Sequence, residues 1–81
     1  MIMNKKEDNV VRLKEIHETA VVHPDAKIDK DVKIGPYAVI GEHVEIGEGT
    51  EVGAHAVIKG WTTIGEDNTI FNGASIGQEP Q

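Results

Sequence analysis

Every sixth residue from Val22 onward is aliphatic: Ile28, Ile34, Ile40, Ile46, Val52, Ile58, Ile64, Ile70 and Ile76 follow without a break. Six of these ten positions are followed by Gly, and the residue two places before each is small or of medium size, as at Ala20, Ala26, Val32, Ala38, Val44 and Thr50. A helix face repeats about every 3.6 residues and a half-buried strand about every 2, so neither produces a period of six with Gly at one phase. A parallel β-helix does, because each hexad makes one side of a three-sided coil. Within a hexad the small residue and the aliphatic residue are two apart and face inward, while the residue between them faces out. Gly or a polar residue then turns the corner, where a positive φ costs Gly nothing. Three hexads close one coil, so residues 18 apart stack at about 4.8 Å. The expected inward columns are Val22–Ile40–Ile58–Ile76, Ile28–Ile46–Ile64 and Ile34–Val52–Ile70.

The outward positions distinguish the three sides. Lys27, Glu45 and Thr63 lie on one, and Lys33, Glu51 and Thr69 on another, polar as solvent requires. The remaining side carries Val21, Val39, Val57 and Ser75, with Tyr37 and His55 stacked at the corner before it. Valines aligned in one column make a patch rather than scattered exposure. The pattern therefore predicts a subunit interface built from Val21, Tyr37, Val39, His55 and Val57, and with it a homo-oligomer.

Residues 1–15 read differently. A charged run (Lys5, Lys6, Glu7, Asp8) precedes Val10, Val11, Leu13 and Ile16, and is expected to form a short N-terminal extension, helical or disordered. Val10 and Ile16 fall in the six-residue phase but lack Gly or small partners, and their phase is read as coincidence. The organisation expected is an extension over 1–15 and hexapeptide coils over 16–81, about three coils in all.

Composition narrows the function. A chain of 81 residues with 27% charged side chains makes one small unit. Its formal charge of −6 argues against a nucleic-acid surface, which needs clustered Lys or Arg. No window has the apolar length of a membrane span, and the polar start lacks the apolar core of a signal peptide. The absence of Cys removes thiolate chemistry and disulfides, in keeping with a cytoplasmic protein. Among the histidines, His17, His23, His43 and His55 are spaced by 6, 20 and 12, so no two share a column and no metal site is expected. That spacing disfavours a zinc-dependent carbonic anhydrase on the same coil. His43 and Trp61 are one coil apart and are expected to stack at an exposed corner. His55 sits beside Tyr37 with no carboxylate placed by sequence to orient it as a base, so a structural role is expected.

Longer motifs carry a resemblance. The runs His23-Pro24-Asp25-Ala26, Ile34-Gly35-Pro36-Tyr37 and His43-Val44-Glu45-Ile46-Gly47-Glu48-Gly49-Thr50 occur with Gly60-Trp61-Thr62-Thr63-Ile64-Gly65-Glu66-Asp67-Asn68-Thr69-Ile70-Phe71 and a closing Gly73-Ala74-Ser75-Ile76-Gly77-Gln78-Glu79-Pro80-Gln81. Together they resemble the start of the acyltransferases that move a 3-hydroxyacyl group from acyl carrier protein to the 3-hydroxyl of UDP-N-acetylglucosamine in lipid A synthesis. The resemblance implies a left-handed, all-β parallel β-helix, a cytoplasmic homotrimer with active sites between neighbouring coils, and no cofactor. It also implies a general-base His, an Asp and a Lys at positions beyond Gln81, so none of the catalytic residues lies in this chain, which then reads as an N-terminal portion apparently truncated at its end. Gln81 matches a position beside the substrate cleft. Two alternatives stay open: another hexapeptide acetyl- or acyltransferase, and a non-catalytic β-helical scaffold.

Overall fold

A computed structural model describes residues 14–77. Over that range the chain makes eleven short strands and every pairing is parallel. The first coil and its approach contain β1 (Glu15–Ile16), β2 (Val21–Val22) and β3 (Lys27–Ile28). Next come β4 (Lys33–Ile34), β5 (Val39–Ile40) and β6 (Val44–Ile46), then β7 (Glu51–Val52), β8 (Val57–Ile58) and β9 (Thr62–Ile64), and last β10 (Thr69–Ile70) and β11 (Ser75–Ile76). Strands three apart in this order lie side by side. Side I is β2–β5–β8–β11, side II is β3–β6–β9 and side III is β1–β4–β7–β10. The register is 18 residues throughout, pairing Val22 with Ile40, Ile40 with Ile58 and Ile58 with Ile76, as the sequence period requires. The fold is a left-handed parallel β-helix of about three turns.

The core is the inside of this prism. Val32, Ile34, Ala38, Ile40, Val44, Ile46, Val52, Ala56 and Ile58 are buried, and all lie where a coil covers them from both directions. Val22, Ile28, Ile64, Ile70 and Ile76 point inward in the first and last described coils, with a described coil on one side of them, and are partly buried among the described residues. Among the described residues one polar side chain is fully enclosed. Thr50 donates its hydroxyl to the Gly65 carbonyl (2.7 Å) and accepts the Asn68 amide (3.2 Å), so the buried hydroxyl is paired both as donor and as acceptor. Coil spacing also fixes Gly47, since a Cβ there would stand 2.7 Å from the Gly65 carbonyl carbon.

Ile16 corrects one expectation. Its phase is structural: Glu15 and Ile16 pair with Lys33 and Ile34, and the Glu15 and His17 amides donate to the Val32 and Ile34 carbonyls at 2.8 and 2.9 Å. Glu15, assigned to the extension by composition, opens the first strand. Main-chain pairing does not need the small inward partner that the interior needs, and Lys14, two places before Ile16, is exposed at the first described residue. The remainder of the expected extension, residues 1–13, lies outside the described residues.

Candidate functional site

The three sides differ in what they offer a partner. On side II, Lys27 is in register with Glu45, and on side III Lys33 is in register with Glu51. At the corner between them the Lys30 ammonium stands 3.7 Å from the Glu48 carboxylate. Three lysines in one coil thus stack on three glutamates in the next, a solvated surface in which each pair contributes little to stability but opposite charges favour the register. Side I has no such rungs. Its outward column is Val21, 61% exposed, then the half-buried Val39 and Val57, with Ser75 at the end.

Both corners that flank side I carry stacked rings. At one, Tyr37 and His55 stack with centroids 5.2 Å apart and planes 20° off parallel. Both are in the left-handed region, at φ of 60° and 62°, where the same position one coil on is Gly73 at 76°. A side chain in that region costs on the order of 1 kcal/mol, so the two rings hold their places against a local preference for Gly. Such strain is a pointer to function. The Tyr37 amide donates to Thr19 Oγ1 at 3.0 Å, which anchors this corner to the coil before it. At the other corner His43 and Trp61 stack at 3.6 Å and 7°, with Trp61 84% exposed. Glu42 ties that corner together, with one carboxylate oxygen 3.2 Å from His43 Nε2 and the other 3.9 Å from His23 Nε2.

Two histidines act as turn caps. His23 Nδ1 accepts the Asp25 amide at 3.0 Å, and His17 Nδ1 accepts the Thr19 amide at 3.1 Å, the bond an Asx side chain makes to the amide two residues on. An accepting Nδ1 leaves the proton of the neutral ring on Nε2, so His23 presents an N–H to Glu42 rather than a lone pair to a metal. His23→Ala is expected to lower stability by about 1 kcal/mol, and His23→Asn to recover most of it because Oδ1 accepts the same amide. Urea unfolding of the two variants decides the point: equal losses would rule out the cap.

With this geometry in view, comparison with known proteins becomes informative. The family described as bacterial transferase hexapeptide (six repeats) matches residues 15–47 and 25–60, which together cover more than half of the chain. The chain belongs to the bacterial hexapeptide transferases. It is also 58% identical over 69 residues, 85% of its own length, to an acyl-[acyl-carrier-protein]–UDP-N-acetylglucosamine O-acyltransferase from Myxococcus xanthus. It spans 27% of that curated relative's length.

In this hexapeptide transferase the structure brings Val21, Val39 and Val57 into one column and Tyr37 and His55 into one corner, the arrangement the spacing implies. Gln81 lies outside the described residues. No group of three His, Cys, Asp or Glu side chains among the described residues is placed to hold a metal. The His55 ring contacts Tyr37 and, among the described residues, no carboxylate. Sequence reasoning missed the Glu42 link between His23 and His43 and the capping role of His17 and His23. The His-x-Thr and His-x-Asp spacings were the available signal, since a cap needs its acceptor two residues before the free amide.

Proposed function

We propose that this chain forms the first coils of an acyltransferase that moves a 3-hydroxyacyl group from acyl carrier protein to the 3-hydroxyl of UDP-N-acetylglucosamine, the first step of lipid A synthesis. The observation that carries this reading is the 58% identity to the Myxococcus enzyme of that name. On this reading the protein is a cytoplasmic homotrimer that needs no cofactor. A His beyond Gln81 takes the proton of the acceptor hydroxyl, as an imidazole does well near neutral pH, and Gln81 stands beside the substrate cleft.

The described residues supply the assembly surface in this proposal. A threefold ring needs a heterologous contact, in which one patch of a subunit meets a different patch of the next. Side I fits that demand, because its valine column is bordered by Tyr37–His55 on one edge and His43–Trp61 on the other. Tyr and Trp are enriched in protein interfaces, where burial of a large rigid side chain costs little entropy.

The test is to incubate the full-length protein with 3-hydroxyacyl carrier protein and UDP-N-acetylglucosamine and to follow the nucleotide sugar by mass spectrometry. Appearance of the 3-O-acylated sugar is the expected result. Transfer only from acetyl-CoA to another acceptor would assign a different hexapeptide acetyltransferase, and a trimer inert to both donors would be a scaffold.

A further inference from the structure

The corner between β10 and β11 holds the dipeptide Asn72-Gly73, on the last described coil and exposed. The peptide of Ala54, one coil below, grips both halves of it. The Ala54 amide donates to Asn72 Oδ1 at 2.9 Å, and the Gly73 amide donates to the Ala54 carbonyl at 2.8 Å. These are the two groups that must meet if the asparagine is to react with its own backbone. A following Gly offers no Cβ to obstruct the approach.

The geometry points to Asn72-Gly73 as a modification site, a spontaneous deamidation centre whose rate is set by whether its coil is paired to the one beneath. In the reaction the Gly73 nitrogen loses its proton to hydroxide and attacks Asn72 Cγ. The new N–Cγ bond forms, the Cγ–Nδ2 bond breaks, and ammonia leaves with the proton returned by water. Water then opens the cyclic imide at either carbonyl, giving aspartate or isoaspartate, and nothing is oxidised or reduced. While the coils are paired, Gly73 N–H is committed to Ala54 O and the Asn72 carboxamide is turned toward Ala54 N, so attack requires both bonds to open. The Asn72 corner is exposed, and exposed main-chain hydrogen bonds open more readily than those of the core.

The two products have opposite consequences. Aspartate keeps an oxygen that accepts the Ala54 amide. Isoaspartate inserts an extra main-chain carbon before Gly73 and displaces Ser75 and Ile76 from Val57 and Ile58, their partners on side I.

A neighbouring coil supplies the control. Pro36 occupies the position 18 residues before Ala54, so this corner accommodates proline, and Ala54→Pro removes the amide that holds Asn72 and puts Cδ in the place of its proton, which releases the carboxamide. The full chain is aged at mildly alkaline pH, folded and in urea, and peptide mass spectrometry locates and times the amide-to-acid conversion. Conversion at Asn72 is expected to be at least about tenfold slower in the folded protein than in urea. Ala54→Pro is expected to raise the folded rate at least about threefold while leaving the urea rate and the circular dichroism unchanged. Equal rates for the folded and urea-denatured wild-type chain, or earlier conversion at another asparagine, would overturn the assignment; so would a natively folded Ala54→Pro variant that ages like wild type. Should that variant not fold, the wild-type comparison alone decides.

Discussion

Replacing Val39 and Val57 together by lysine is expected to reduce the native mass of the protein to that of a single chain. Both valines face outward from side I, and both are already half-buried within the protomer. A second copy covering them would remove two ammonium groups per subunit from water with no carboxylate of side I in register to receive them. An unpaired buried charge costs several kcal/mol, and each 1.4 kcal/mol is about tenfold in affinity. Association should therefore weaken by at least about a thousandfold. Folding of the protomer should survive, because a lysine at these positions replaces a side chain that points away from the interior. The matched control is Lys27→Ala with Lys33→Ala on sides II and III, which should leave the mass unchanged. Native mass spectrometry or light scattering reads both. An unchanged mass for the valine double variant would remove side I as the interface, and a reduced mass for the lysine control would show that charge, not apolar area, drives assembly.

The second large effect concerns the interior. Ile58→Ala should cost about 3–4 kcal/mol, the usual range for truncating a fully buried Ile that its surroundings cannot close over. Ile58 has no exposure and lies between Ile40 and Ile76 in the side I column. For a chain of this size that loss corresponds to a fall of about 15 °C in the unfolding midpoint, a large part of the stability a small protein has. Ile76→Ala, in the same column and phase, should cost only about 1 kcal/mol because Ile76 is partly solvated already. Thermal melts at one fixed protein concentration separate the two, since the proposed assembly would make the midpoint depend on concentration. Equal effects would mean that the last coil is covered as completely as the middle one.

Particular residues show how far periodicity reaches. The register of the described strands from β2 onward was legible because a column of identical spacing leaves no alternative partner: a slip of one residue turns Ile40 outward and Val39 inward along the whole side. The ring stacks at Tyr37–His55 and His43–Trp61 followed from the same arithmetic. Ile16 did not, because the inward-small rule describes a covered interior, whereas β1 is held by its main-chain bonds to β4. The histidine caps and the Glu42 link escaped for another reason. The caps are bonds between residues two apart that depend on side-chain torsions, and the Glu42 link reaches His23 across 19 residues, which an exact 18-residue period does not pair.

By itself the sequence determined that the chain winds into β-helical coils, which side chains fill them and which side is apolar outside, because a repeat of fixed length ties facing direction directly to residue number. Only the tertiary structure decided which inward residues are fully enclosed, that Tyr37 and His55 hold left-handed backbone, and that Ala54 grips Asn72 and Gly73. Those outcomes turn on how many coils cover a position and on the few tenths of an ångström that separate a hydrogen bond from a near miss, quantities that a pattern of residue types does not contain.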